Sequence, residues 1–258
     1  MTSKVHLHVE ESGEGSPAVV LLHGFGGSAR NFRPQARHLA PRHRVLLYDA
    51  RGHARSGKAP TGADYGMDAL VADAASVVAN AGEGVVVGGL SLGGAVALHA
   101  ALRDPAPLRG LVLAAYPPAG DPTESGWANA FATAIDEEGL EGAGQRFVWG
   151  GGRFDGAAAR FIRQGFLEHD PVALSGILRN TLARLASPEE KKSELGSLSL
   201  PTLVIVGERD GGSLEPCRDL ARLLPRAELA VVPGAGHVVN LENPLRFNEV
   251  LSDFLSRI

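Results

Sequence analysis

The chain has 258 residues and a net charge of −4, and 44% of its residues are hydrophobic while 21% are charged. This length fits one large α/β domain, and the weakly negative charge excludes the basic footprint that is typical of nucleic-acid-binding proteins. Cys217 is the single cysteine, which excludes an internal disulfide and a metal cluster built on cysteines.

No apolar run approaches the ~18 residues that a transmembrane helix needs, so we expect no membrane partner. The first ten residues also lack the apolar stretch of a secretory signal, which favours a cytoplasmic protein. The expected partner is a small-molecule substrate, and the expected assembly is a monomer or a homodimer.

Short apolar runs recur along the chain and are separated by helical patterns. The predicted strands are residues 5–9, 18–22, 45–48, 85–87, 111–114, 203–206 and 229–232. The predicted helices are residues 29–40, 67–81, 92–103, 214–224 and 244–257. Apolar strands that alternate with helices indicate an α/β fold with a parallel sheet covered on both faces, in which ligands bind at the carboxyl ends of the strands.

The alternation of strands and helices stops between residues 117 and 200, where only helical patterns occur. A pair of prolines opens this segment, and Pro201 follows it. We therefore predict a core of residues 1–116 and 201–258 with a helical cap, residues 117–200, inserted above the carboxyl edge of the sheet.

The predicted cap is rich in aromatic residues. They are Trp127, Phe131, Phe147, Trp149, Phe154, Phe161 and Phe166. One interpretation is that these rings pack the core of a helical subdomain. The other is that Trp127, Phe131, Phe147 and Trp149 roof a partly apolar substrate pocket, since pockets are lined mainly by apolar and aromatic groups.

Residues 89–93, Gly-Leu-Ser-Leu-Gly, form a G-x-S-x-G pattern between a predicted strand and a predicted helix. A serine on so sharp a turn takes strained backbone angles, so its neighbours must be small, and Gly89, Gly93 and Gly94 meet that need. Glycine-rich turns also occur without catalysis. The strand–turn–helix context favours Ser91 as a nucleophile.

A serine hydroxyl needs a base within hydrogen-bond reach and a third group that orients the base. His237 follows the predicted strand 229–232 on a glycine-rich loop and is the candidate base. Asp210 comes just after the predicted strand 203–206 and is the candidate acid, with Glu208 as an alternative.

The remaining polar candidates have simpler interpretations. His99 lies eight residues into the helix after Ser91, too far along to serve that serine. Asp49 follows a strand but precedes a tight turn, which indicates a structural role. The other histidines in polar or edge contexts are expected at the surface; they are His6, His8, His38, His43 and His169.

The transition state of acyl transfer needs an oxyanion hole, usually formed by two backbone N–H groups. Leu92, the residue after the serine, supplies one of them. The loop of residues 23–27, His-Gly-Phe-Gly-Gly, is expected to supply the other from Phe25, with His23 and Gly24 beside the substrate. This loop fits neither a P-loop nor a dinucleotide fingerprint, so no cofactor and no metal are expected.

These motifs together resemble the α/β-hydrolase superfamily over nearly the whole chain. They are His23-Gly24, residues 49–56 (Asp-Ala-Arg-Gly-His-Ala-Arg-Ser), residues 89–93, residues 207–210 and Gly236-His237. The order Ser91, Asp210, His237 is that of the superfamily. The resemblance implies a mostly parallel eight-stranded sheet with a lid after the sixth strand and no cofactor. Ser91 argues against epoxide hydrolases and haloalkane dehalogenases, which use aspartate there, while cofactor-free haloperoxidases stay open.

Three functions remain open. The first is a serine hydrolase that cleaves a small carboxylic ester or a lactone through an acyl-Ser91 intermediate. The second is similar to the menaquinone-pathway lyase, which uses the same triad to abstract a proton; the cap residues Arg146, Arg153, Arg160 and Arg163 would bind its carboxylates, unless they form an ordinary solvated helix face. The third is a ligand-binding receptor on a hydrolase fold, because fold alone does not prove function.

Overall fold

A computed structural model of the chain describes residues 3–150 and 156–258. The described residues contain one seven-stranded sheet. Its strands are β1 (Val9–Ser12), β2 (Val19–Leu22), β3 (Val45–Tyr48), β4 (Val85–Leu90), β5 (Leu108–Ala114), β6 (Thr202–Gly207) and β7 (Ala227–Val232). They lie in the order β1-β3-β2-β4-β5-β6-β7, and all neighbours are parallel except the pair β1 and β3. This arrangement confirms the predicted α/β class.

Helices cover both faces of the sheet. They are α1 (Arg33–Leu39), α2 (Met67–Ala81), α3 (Leu92–Arg103), α4 (Trp127–Gly144), α5 (Gly156–Leu167), α6 (Pro171–Asn180), α7 (Lys192–Ser197), α8 (Leu214–Leu223), α9 (Val239–Glu242) and α10 (Pro244–Leu255). Short 3-10 turns occur at Ala29–Phe32, Gly62–Tyr65 and Leu182–Arg184, and a π-helical turn occurs at Gln145–Trp149. No helix within the described ranges is long and apolar enough to cross a membrane.

Successive residues of the central strands pack into different cores because side chains alternate between the two faces of a strand. Val85 and Val87 of β4 join a cluster that includes residues of α2, α3 and α8. Val86 joins a second cluster with residues of α1 and α10. Burial on both faces explains why these strands read as continuous apolar runs rather than alternating ones.

The prediction of a strand at residues 5–9 is wrong, because the strand at this edge of the sheet is β1, Val9–Ser12. Residues before it bond to the loop after β3 instead of to a strand. The backbone oxygen of His6 accepts from the N–H of Gly57 (2.7 Å), and the N–H of His8 donates to Oγ of Ser56 (2.9 Å). The alternating polarity of residues 5–8 therefore belongs to an extended segment that packs on the loop after β3 and not to a strand of the sheet.

The expectation of eight strands is also wrong for the described residues, which contain seven. As a result, the helical insertion follows the fifth strand and not the sixth. Between β5 and β6 the described residues form only helices and turns, from α4 to α7. Phe131 and Phe166 of this segment belong to the same apolar cluster as Val87 of the sheet. The boundaries at residues 117 and 200 stay a prediction.

Candidate active site

Ser91 stands at the turn between β4 and α3 with φ 54° and ψ −114°. Such a positive φ is rare for a residue with a side chain and costs on the order of 1–3 kcal/mol. Two glycines make the turn possible. A Cβ at Gly89 would lie 2.3 Å from the backbone oxygen of Leu22, and one at Gly93 would lie 2.1 Å from that same oxygen. The strained turn is therefore held between β2 and α3.

The two expected oxyanion donors lie on either side of this turn. Leu92 is the first residue of α3, so its N–H has no acceptor within the helix. The loop containing Phe25 runs beside Ser91, since a Cβ at Gly24 would lie 3.6 Å from the Cβ of Ser91. Backbone donors at a helix N-terminus favour a developing negative charge.

Asp210 and His237 form a direct pair. Nδ1 of His237 lies 2.8 Å from Oδ2 of Asp210. Because a carboxylate accepts, Nδ1 carries the proton, and Nε2 is left with a lone pair that can accept one. The Asp210 side chain is 7% exposed and that of His237 is 47% exposed, so the acid is inside and the base faces the solvent-accessible site.

The charge on Asp210 is stabilised by its neighbours. Burial alone raises the pKa of Asp210, but hydrogen bonds from His237 and Ser213, together with the charge of His237, lower this pKa below its ordinary value. Oγ of Ser213 lies 3.4 Å from Nδ1 of His237 and donates to the backbone oxygen of Ala115 at 3.3 Å. Asp210 is thus an anion that can hold the His237 ring in one tautomer.

Ser91 and the Asp210–His237 pair are both connected to the carboxyl end of β5. The N–H of Ser91 donates to the backbone oxygen of Ala114 (2.8 Å). The next residue, Ala115, accepts from Ser213, which contacts His237. Ala114 and Ala115, which are neighbours in the chain, therefore accept one hydrogen bond from the serine turn and one from Ser213, the residue in contact with the base.

The alternative acid, Glu208, has another position. It is exposed, and its carboxylate accepts from the N–H of Gly234 at 2.9 Å. This contact ties the loop after β6 to the loop after β7 without touching the His237 ring. The geometry therefore favours Asp210 over Glu208 as the partner of His237.

A family model described as the alpha/beta hydrolase family matches residues 19–250. The chain belongs to the alpha/beta hydrolase family. It is 27% identical to 3-oxoadipate enol-lactonase 1 of Acinetobacter baylyi, over 95% of this chain and 91% of that protein. It is also 27% identical to a Bacillus subtilis protein provisionally assigned as 2-succinyl-6-hydroxy-2,4-cyclohexadiene-1-carboxylate synthase, over 96% and 94%.

Solved structures agree with this family. A thermophilic esterase from Thermogutta terrifontis superposes with a TM-score of 0.83 at 27% identity, over 97% of this chain and 93% of that one. One longer curated relative also matches, and the chain spans only 12% of its length. The family, with its esterase and lactonase relatives, identifies the chain as a hydrolase enzyme.

The aromatic residues of the helical insertion differ in their contacts and in their exposure to solvent. Phe25 packs edge-on against Phe131 of α4, with ring centroids 5.7 Å apart, and Phe131 stacks on Phe147 at 4.6 Å. Trp127 is 55% exposed, whereas Trp149 is 9% exposed. A Cβ at Gly144 would overlap the Trp149 ring, which shows how tightly that ring packs.

Phe25 and Phe147 are partly buried, as side chains at a pocket roof would be, and both contact Phe131. Phe131 and Trp149, which are 1% and 9% exposed, fit the alternative interpretation of rings in the core of the helical segment. Phe154 lies outside the described residues, and the side chain of Phe161 is not described either.

The cap arginines within the described residues do not converge on the site. Arg146 is exposed and pairs with Glu138 at 3.2 Å, and Arg163 is exposed and pairs with Glu141 at 2.8 Å. Arg160 is exposed as well, and Arg153 lies outside the described residues. This pattern is typical of a solvated helix face and does not favour carboxylate binding. Within residues 3–150 and 156–258 no group of three metal-ligating side chains is arranged around a common point.

His23 serves the scaffold. Its ring is fully buried; Nε2 accepts from the N–H of Ala50 (3.0 Å) and Nδ1 donates to the backbone oxygen of Gly24 (2.8 Å). Both nitrogens are occupied, so the ring offers a substrate no polar atom. Asp49 has the structural role that its position predicts, because its carboxylate accepts from the N–H of Ala29 (2.7 Å) and from Arg55.

The expectation of a surface position for His169 is wrong. This histidine is 6% exposed and contacts two loops through hydrogen bonds with Gly26 and Ala54. It lies between α5 and α6, and no local sequence pattern indicates these distant partners. The same holds for Glu242, whose carboxylate accepts from the N–H groups of Gly236 (2.7 Å) and Val238 (2.9 Å), on either side of His237.

Proposed function

We propose that this hydrolase cleaves a small carboxylic ester or lactone through an acyl-Ser91 intermediate. The observation that carries the proposal is the bond between Asp210 and His237 Nδ1, at 2.8 Å, and the strained strand-to-helix turn that holds Ser91 supports it. The esterase and lactonase among the similar proteins support the substrate class.

In the acylation step, Nε2 of His237 takes the proton of Ser91 Oγ while that oxygen attacks the carbonyl carbon. The carbonyl electron pair moves to its oxygen, and the N–H groups of Phe25 and Leu92 stabilise this oxyanion. When the C–O bond to the leaving group breaks, His237 gives the proton to the departing oxygen. Asp210 stabilises the imidazolium between these two transfers and does not itself take a proton.

In the deacylation step, water replaces the alcohol. His237 takes one proton from the water, and the hydroxide attacks the acyl carbon of the ester on Ser91. The second tetrahedral intermediate uses the same two backbone donors. Its collapse returns the proton to Ser91 Oγ and releases the acid, so the enzyme ends as it began.

The pocket is proposed to lie between the loop of Phe25 and the helical insertion, with the partly buried Phe25 and Phe147 as its apolar wall. Both rings pack against Phe131 of α4, which is fully buried behind them. An apolar wall with few charged groups suits an uncharged acyl or alcohol portion.

The test is hydrolysis of p-nitrophenyl esters, from acetate to decanoate, by the wild type and by Ser91→Ala. We expect the substitution to lower kcat by about 10⁵- to 10⁶-fold, with ~10³-fold catalysis over water remaining from binding and the oxyanion hole. Ser76→Ala, on the exposed face of α2, is the matched control and should keep wild-type turnover.

A fluorophosphonate adds a second readout, because it labels an activated serine with loss of fluoride. Peptide mass mapping should place the label on Ser91 and find none in the variant. Wild-type turnover by Ser91→Ala would exclude the serine mechanism. A folded wild type with no turnover and no label would instead favour the lyase or the receptor alternative.

A further inference from the structure

The loop that carries Phe25 is a tight turn with a defined peptide orientation. The N–H of Gly27 donates to the backbone oxygen of Gly24 at 3.0 Å, and Gly26 has φ 67°. A positive φ at the third position of a closed four-residue turn is the pattern of a type II turn. In that turn the peptide between the second and third residues is flipped relative to type I. The orientation of the Phe25–Gly26 peptide therefore sets the shape of the loop.

Two imidazoles hold Gly26 from opposite sides. The N–H of Gly26 donates to Nε2 of His53 at 3.3 Å. The backbone oxygen of Gly26 accepts from Nε2 of His169 at 2.8 Å. The two peptides that flank Gly26 are thus each fixed by one ring. A flip of the Phe25–Gly26 peptide would leave Nε2 of His53 without its donor.

The other ring nitrogens define the tautomers. Nδ1 of His53 donates to the backbone oxygen of Arg51 (3.2 Å), whereas Nδ1 of His169 accepts from the N–H of Ala54 (3.0 Å). His53 must therefore carry its proton on Nδ1, and His169 must carry its proton on Nε2. Both arrangements require neutral rings, since a doubly protonated ring cannot accept.

The surroundings keep these rings neutral. His53 is fully buried, and burial together with the neighbouring His169 and His23 holds the pKa of His53 well below its ordinary value. Burial also lowers the pKa of His169, although the carboxylates of Glu168 and Asp49 act in the opposite direction. The centroids of the two rings are 4.7 Å apart.

His169 belongs to the segment between α5 and α6, on the helical insertion. Phe166, near the end of α5, lies against the turn, because a Cβ at Gly26 would be 2.8 Å from its ring. The N–H of Asp170 donates to the backbone oxygen of Gly52 (3.1 Å), and its carboxylate pairs with Lys58 (2.8 Å). This part of the insertion therefore contacts both the turn that contains Gly26 and the loop after β3.

We propose that His53 and His169 are positioning residues that hold the Gly26 turn so that the N–H of Phe25 faces the oxyanion. This inference rests on the proposed serine mechanism. Because His169 comes from the helical insertion, the oxyanion hole is complete only while that segment is docked on the turn. Neither ring touches the reacting atoms, and both act through the backbone of Gly26.

The test uses two substitutions at residue 169, each of which introduces an amide side chain that can replace one of the two nitrogens of the histidine ring. A glutamine at 169 can place its N–H₂ where Nε2 stood and keep the bond to Gly26. An asparagine at 169 reaches only the Nδ1 position and keeps the bond from Ala54. The pair His169→Gln and His169→Asn therefore separates the contact with Gly26 from the contact with Ala54.

We expect His169→Asn to lower kcat about tenfold with KM changed less than about twofold, because a misplaced donor weakens the transition state alone. The affinity for an alkyl boronic acid, which forms a tetrahedral adduct on the serine, should fall by the same factor. His169→Gln should stay within about twofold of the wild type in both measurements. Equal losses in the two variants, or a larger loss for glutamine, would overturn the proposal.

Two further measurements keep the inference separate from the proposed reaction. Long-range ¹⁵N–¹H spectra of histidine-labelled wild type at pH 7.5 should show the Nδ1–H tautomer for His53 and the Nε2–H tautomer for His169, whether or not the protein hydrolyses esters. The opposite tautomer at either ring would refute the arrangement. If His169→Asn does not fold, the corresponding pair His53→Gln and His53→Asn gives the same comparison, with glutamine keeping an acceptor for the N–H of Gly26.

Discussion

The two halves of the candidate site are held in different ways. On the acid–base side, Asp210 pairs with His237, and Glu242 accepts from the N–H groups on both sides of that histidine. On the oxyanion side, the Gly26 turn is held by the neutral rings of His53 and His169. Hydrogen bonds to carboxylates therefore position the base, whereas hydrogen bonds with imidazoles position the Gly26 turn.

The origin of the supports differs as well. Asp210 follows β6, and both His237 and Glu242 follow β7, so the acid–base side is built from neighbouring strands of the sheet. His169 lies between α5 and α6, 143 residues along the chain from Gly26. The base is therefore positioned by loops and a helix that follow β6 and β7, whereas the proposed oxyanion donor, the N–H of Phe25, also depends on the helical insertion.

The largest effect is expected on the acid–base side. Asp210→Asn should lower kcat by about 10⁴-fold, because an amide can present a donor to Nδ1 and leave Nε2 protonated, the wrong tautomer for a base. Glu208→Gln is the matched control on the same loop and should change kcat less than about threefold, since the carboxylate of Glu208 accepts from the N–H of Gly234 and not from His237. Equal losses in the two variants would remove the special role of the Asp210–His237 pair.

An intermediate effect on stability is expected on the oxyanion side below pH 6.5. Burial lowers the pKa of His23 to about 4, and burial also lowers the pKa values of His53 and His169. Between pH 6.5 and 4 the unfolded chain therefore binds more protons than the folded one, so the free energy of unfolding falls as the pH falls. His23 alone should contribute a loss on the order of 3 kcal/mol across this range.

Urea denaturation at several pH values between 7.5 and 4.5 measures this loss. Asp210 does not add to it in this window, because its lowered pKa places its own contribution at lower pH. His169→Gln removes one of the three rings and should make the pH dependence shallower. A free energy of unfolding that stays constant between pH 7.5 and 4.5 would contradict the assignment of neutral buried rings.

The same contrast explains what could be predicted from the sequence. The α/β fold was predictable because short continuous apolar runs such as residues 203–206, alternating with helical patterns, are typical of strands buried on both faces. Asp210 could be picked out because it follows such a strand, and His237 because it follows the apolar run 229–232, although Leu229 and Val231 of that run are 37% and 41% exposed. His169 could not, because its role depends on hydrogen bonds with Gly26 and Ala54, and no local pattern encodes contacts so distant.

The smallest effect concerns the support of the base. Glu242→Gln keeps the size of the side chain but replaces charge-assisted hydrogen bonds to the N–H groups of Gly236 and Val238 with weaker ones, and one amide nitrogen cannot accept at all. The loop of His237 should then be less well ordered, and kcat should fall about tenfold with KM nearly constant. Glu249→Gln, which removes only an exposed pair with Arg246, is the control and should leave kcat unchanged.

The affinity for the boronic acid separates the two halves of the site here as well. The proposed donors to its oxyanion are the N–H groups of Phe25 and Leu92, so its affinity should fall less in Glu242→Gln than in His169→Asn. A reversed order would mean that the two sides are not supported independently.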